Sequence, residues 1–114
     1  MPEASCSCSS STSCRCDELG LTSIPQNLQP TITSLYLLRN EITSLSQSDF
    51  SRYRNLQTLD LDTNHISTID HQAFYYLTSL TLLDLRSNQL ASLRADMFVK
   101  LENLQKLHLL NNEY

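Results

Sequence analysis

Apolar residues recur along this chain with two nested spacings. Within a unit they fall as L-x-x-L-x-L, and the unit itself returns every 24 residues. Segments 32–55, 56–79 and 80–103 align without a gap, and a fourth begins at 104 and stops at 114. The columns are Leu35, Leu59, Leu83 and Leu107; Leu37, Leu61, Leu85 and Leu109; Asn40, Asn64, Asn88 and Asn112; and Phe50, Phe74 and Phe98. Two Leu set two residues apart point to one face of a short strand. A single unit cannot bury that face, whereas stacked units close a continuous core. The pattern predicts one strand per unit, a parallel sheet along one side of a curved solenoid, and irregular or short helical turns behind it. Ile42, Ile66 and Leu90, then Leu45, Ile69 and Leu93, continue the inward set. The Phe column, with Tyr53, Leu77 and Leu101 beside it, fills the wide outer side of each coil.

Each column Asn stands three residues after the last strand Leu, where the chain turns away. Its amide can bond backbone groups of neighbouring turns that the strands leave open.

The chain has 114 residues, enough for one small domain, and 40% of them are apolar. A single Gly excludes a glycine-rich phosphate loop. The net charge of −4 and a pI near 5.1 argue against a nucleic-acid or anionic-membrane partner. No run approaches the ~18 apolar residues of a membrane span. Met1-Pro2-Glu3 leads straight into polar, Cys-bearing sequence, so no signal peptide is expected and the start reads as a mature or trimmed end. No Asn opens an Asn-x-Ser/Thr triplet, so N-glycosylation is not expected.

All four Cys lie together, as Cys6-Ser7-Cys8 and Cys14-Arg15-Cys16, around a stretch of Ser and Thr that cannot pack by itself. Two disulfides would hold such a segment at little cost in core area, which points to an oxidising compartment. A zinc site is the rival reading, although this spacing is shorter than that of usual zinc ribbons and fingers. Of the three possible pairings, Cys6–Cys8 with Cys14–Cys16 is disfavoured, since each bridge would close a strained ring across one residue.

With these columns the sequence resembles the extracellular leucine-rich-repeat family in its 24-residue class, close to Toll-like receptor ectodomains and variable lymphocyte receptors. That resemblance implies an α/β solenoid, a right-handed coil with a parallel concave sheet and a mostly irregular convex side. It divides the chain into a Cys-rich N-terminal cap at 1–31, three repeats at 32–103, and a partial fourth repeat or start of a C-terminal cap at 104–114. Cys6-Ser7-Cys8, Cys16, Leu21 and Ile24-Pro25 fit the family's cap. The first cap Cys is absent, with Met1-Pro2 about where a Cys-Pro would stand, and Cys14 takes the place of an apolar strand residue. By carry-over from the family, Cys6 pairs with Cys16, and Cys8 takes Cys14. At the other end Asn112 and Tyr114 match the entry to a C-terminal cap, with Glu113 in place of its Pro.

Strand residues that alternate with the buried Leu collect on the predicted concave face in three columns. They are Ser34, Thr58, Leu82 and Lys106; Tyr36, Asp60, Asp84 and His108; and Leu38, Asp62, Arg86 and Leu110. The candidate ligand-binding residues are Tyr36 and Leu38 as anchors, Asp60, Asp62 and Asp84 as an acidic centre, and Arg86 and His108 as flanking groups. Neighbouring Asp side chains repel, so either Arg86 or a partner's cation is expected to screen them. A bound Ca²⁺ at Asp60 and Asp84 would need more oxygens than the strands supply. No metal or cofactor is expected, and no catalysis either, since these carboxylates fall on an open face with nothing to exclude water and His108 is two strands from Asp60. His65 and His71 read as solvated turn residues, and Tyr75-Tyr76 as partial packing on the convex side.

The function expected is extracellular recognition of a protein or glycan on the concave face. The resemblance points to the N-terminal part of an immune-type receptor. The alternative is a structural piece that self-associates, for instance as a homodimer, through an open C-terminal end formed by Leu104, Leu107, Leu109 and Tyr114.

Overall fold

In a computed structural model the described residues are 5–113; the positions of Met1-Pro2 and of Tyr114 lie outside them. Successive coils form a solenoid. Its long sheet comprises β1 (Ser7–Cys8), β2 (Ser13–Arg15), β3 (Ser34–Tyr36), β5 (Thr58–Asp60), β7 (Leu82–Asp84) and β8 (Lys106–His108), in that order. Only β1 and β2 run antiparallel; every later neighbour is parallel, one coil apart. The register aligns Leu35, Leu59, Leu83 and Leu107, as the 24-residue spacing requires.

The return side holds a second, two-stranded parallel sheet of β4 (Ser44–Leu45) and β6 (Thr68–Ile69). It also holds two 3-10 turns, Gln47–Phe50 and Ala95–Phe98. Asp49 closes the first of these, its Oδ2 accepting the Ser46 N–H at 2.7 Å. Among the described residues the helical component is these short turns, and no helix is long and apolar enough to cross a membrane.

The core runs between the two sides. Leu35, Leu37, Leu59, Leu61, Leu83 and Leu85 are fully buried, as are Ile42, Ile66, Phe50, Tyr53 and Leu77. Phe50, Phe74 and Phe98 form a row with ring centroids 6.4 and 6.2 Å apart. The Tyr53 hydroxyl donates to the Pro25 carbonyl and accepts the Leu28 N–H, tying the first repeat to the segment before it.

Cys6 is bonded to Cys16 and Cys8 to Cys14. Cys14 lies opposite Leu35 in the sheet, and Cys14 and Cys16 are buried like the Leu pair that follows them. The same two residues thus fill apolar core positions and anchor β1 to the end of the stack.

Four amides stitch the coils together. Asn64 Nδ2 donates to Leu37 O (2.9 Å) in the preceding coil and to Leu61 O (3.1 Å) in its own, while its Oδ1 accepts the Ile42 N–H at 3.2 Å. Asn88 bonds Leu61 O, Leu85 O and the Ile66 N–H in the same way, and Asn112 bonds Leu85 O, Leu109 O and the Leu90 N–H. Asn40 reaches Cys16 O and accepts the Leu19 and Leu21 N–H groups. The residue before each Asn is left-handed: Arg39, Thr63, Ser87 and Asn111 have φ between 56° and 62°. Such a conformation costs a β-branched residue like Thr63 about 1–3 kcal/mol, and the bonds on both sides of it hold it there.

Asn64→Ala removes three hydrogen bonds and leaves buried backbone groups open. A loss of about 3 kcal/mol is expected, read as a lower midpoint in urea denaturation. A midpoint equal to that of the wild type would mean the amide row is dispensable.

Candidate functional site

The outward face of the long sheet is set by the strand register. Thr58 lies between Ser34 and Leu82, and Asp60 between Tyr36 and Asp84, with His108 beyond. The row also extends backwards, since Arg15 is the register partner of Tyr36. The Arg15 guanidinium lies 4.1 Å from the centre of the Tyr36 ring and is paired with Asp17 at 2.9 Å. Asp17 also accepts the Leu38 N–H at 2.9 Å. Arg15 and Asp17 were missing from the candidate set read from the sequence. Treating Cys14 and Cys16 as one more Leu pair would have placed both on this face.

The structure brings Asp60, Asp62, Asp84 and Arg86 together. One carboxylate oxygen of each Asp lies within 4.8 Å of the others. Arg86 grips Asp84 through Nη2–Oδ2 at 2.6 Å and Nε–Oδ1 at 3.0 Å, and reaches Asp62 at 3.9 Å. Two of the carboxylates also serve the backbone: Asp60 Oδ1 accepts the Asp62 N–H and Asp84 Oδ1 accepts the Arg86 N–H, each at 3.1 Å. These bonds explain why Asp can stand beside Asp on adjacent strands. The cluster carries its own counter-ion in Arg86.

One expectation needs correction. Asp84 is only 2% exposed, so it is not an open contact carboxylate. The bidentate fork of Arg86 closes over it, and a partner would meet the guanidinium instead. Tyr36, Leu38, Asp60, Asp62, Arg86 and His108 are all partly exposed. At the far end Leu107 is 37% and Leu110 is 70% exposed, while Leu104 and Leu109 are half-buried against the core. His65 and His71 are exposed; His65 meets Gln89 and His71 meets Asp70, both at 3.3 Å.

Burial pushes the Asp60 carboxyl up to about 6, helped by the charges of Asp84 and Asp62 and opposed by the Asp62 N–H and by Arg86. Hydrogen bonding to Asp84 holds the Arg86 guanidinium more firmly protonated than usual. With its carboxyl raised on folding from 3.8 to about 6, native Asp60 binds more protons than the unfolded chain between those limits. Its contribution to stability is therefore greatest below pH 4 and falls as pH rises to about 6. Asp60→Asn should stabilise the chain at pH 7 relative to pH 4. The check is the difference in denaturation midpoint between variant and wild type across that window, where a pH-independent difference would contradict the raised carboxyl.

Comparison with known proteins places this geometry. The leucine rich repeat family profile matches residues 30–90 and 54–113. A segment of 47 residues is 43% identical to decorin of Canis lupus familiaris, covering 41% of this chain and 13% of decorin. Over 59 residues the chain is 44% identical to Toll-like receptor 2 of Macaca fascicularis, covering 52% of the chain and 8% of that protein. Over 45 residues it is 47% identical to biglycan of Xenopus laevis, covering 40% of the chain and 12% of biglycan. The chain thus spans a small part of the length of each relative. Its repeat, its register and these matches agree: the chain belongs to the leucine rich repeat family.

Proposed function

We propose that this chain is an extracellular recognition module that binds a protein partner through the outward face of its long sheet. On this reading residues 1–31 serve as the N-terminal cap, 32–103 as three repeats, and 104–114 as a partial fourth repeat or the start of a C-terminal cap. The observation that carries the reading is the row Arg15, Tyr36, Asp60, Asp84 and His108 across five strands, in which the Arg86 guanidinium stands over buried Asp84 and Asp62 borders it. Its side chains stand on a backbone that the Asn amides hold rigid, so a partner could bind with little ordering cost. Tyr and Arg are the residue types that dominate interface energetics. Two disulfides support a place outside the reducing cytosol, and the likeness to Toll-like receptor 2 supports an immune-type receptor as its parent. The reading is of a binding module rather than an enzyme, because the carboxylates lie on the open outward face of the sheet.

The test is retention on an array of extracellular proteins. Tyr36→Ala and Asp62→Ala should each weaken capture of a specific partner about tenfold without changing the melting temperature, whereas Val99→Ala, off this face, should not. Capture insensitive to both sheet variants would overturn the reading.

A second reading is favoured by β8, whose Leu107 is exposed beside the exposed Leu110 at the last described edge of the sheet. Apolar groups and an open strand edge invite association of two copies. Light scattering over a concentration series should then find a dimer that dissociates on dilution and is lost in a Leu107→Asp, Leu110→Asp variant. A dimer that survives those substitutions would remove this end as the contact.

A further inference from the structure

The chain holds eight Lys and Arg residues, all within the described part. Arg15, Arg39, Arg86 and Arg94 each pair with a carboxylate, and Arg52 donates to the Leu28 carbonyl. Lys106 is exposed on the long sheet with no carboxylate partner among the described residues. Arg54 and Lys100 likewise have none, and both are exposed. Instead each lies against a tyrosine on the return side of the coil. Arg54 is 4.1 Å from the centre of the Tyr76 ring, and Lys100 Nζ is 5.0 Å from that of Tyr75. The two rings meet edge to face with centroids 5.2 Å apart. Three successive repeats thus contribute to one cation–ring–ring–cation row.

This row lines an open trough of about 360 Å³ whose other walls are Thr78 and Glu102. Nearby carboxylates are already engaged: Asp70 holds the Gln72 N–H and His71, and Asp96 holds Arg94. Glu102 alone at the rim has no hydrogen-bond or ion-pair partner among the described residues. The chain as a whole is acidic, with a net charge of −4, and in this trough two cations without carboxylate partners among the described residues share one surface.

We propose that the trough binds a sulfated oligosaccharide. Two separated cations match sulfate groups carried on neighbouring sugars. The tyrosines offer rigid aromatic surface with a polar tip, suited to the apolar faces of pyranose rings and to their hydroxyls. Thr78 and Glu102 add a donor and acceptors for further hydroxyls. An inorganic anion or a bare phosphate chain has no hydroxyl-rich surface to use them, and would meet Glu102 only as repulsion. The site is separate from the outward sheet face and shares no residue with it.

The probe is a sulfated hexasaccharide prepared from heparin, titrated calorimetrically into the whole chain, with its fully desulfated counterpart beside it. Binding of the sulfated sugar alone is expected, weakening as salt is raised. Arg54→Gln and Lys100→Gln should each lower affinity roughly five- to tenfold. Glu102→Gln should tighten binding, and Lys106→Gln and Tyr36→Ala should leave it unchanged. Near-ultraviolet circular dichroism checks that each variant is folded. The proposal is overturned by an absence of binding, by equal binding of the desulfated sugar or of single-stranded DNA, or by a loss in Lys106→Gln as large as that in Arg54→Gln.

Discussion

The side-chain amides of Asn40, Asn64, Asn88 and Asn112 bind backbone groups of two coils at once, and the rest of the structure rests on them. Where the chain leaves each strand it must turn sharply, and this protein has one Gly with which to do so. It turns instead through left-handed Arg39, Thr63, Ser87 and Asn111, each fixed between a strand and a satisfied amide. Because every amide reaches into the preceding coil, no coil holds its turn without a neighbour. The Leu core then needs only to fill the space that this stitching defines.

Much of this was legible in the sequence because it repeats. Leu35, Leu59 and Leu83, the Phe row and the Asn row fall where a 24-residue period puts them, since identical environments select identical residues. The outward columns followed from strand alternation, and the strand pairing reproduces them. What did not repeat could not be read. The burial of Asp84 depends on which way the flexible Arg86 side chain folds, and periodicity carries no information about that. Arg15 escaped notice because its unit is 21 residues before Tyr36 rather than 24, with Cys in place of Leu. Tyr75 and Tyr76 read as bland packing, since their cations come from other repeats: Arg54 lies before them and Lys100 well after.

The Cys-rich segment and the acidic cluster meet related problems by different means. The start of a stack exposes a sheet edge and an apolar end. At the first described edge of the sheet Cys14 and Cys16 continue the row of buried Leu pairs, and their bonds to Cys8 and Cys6 tie the β1 segment across them. In the middle of the sheet the difficulty is charge, because adjacent strands bring Asp60 and Asp84 side by side. Backbone N–H groups and Arg86 bond these carboxylates and oppose that repulsion. Burial, with a smaller push from the neighbouring carboxylates, drives the Asp60 carboxyl up to about 6.

The parallel register also makes the outward face a ruler. Equivalent side chains step across it at the spacing between strands, about 4.8 Å. A peptide extended across those strands presents same-side residues about every 6.7 Å, so the two rulers fall out of step after the first contact. Partners that keep step are those whose contact points are set by three-dimensional shape, such as a loop or a folded surface. Along a strand the mismatch disappears, but β3, β5 and β7 are only three residues long. On the proposed reading of this face, the geometry would select a partner by its form before its sequence.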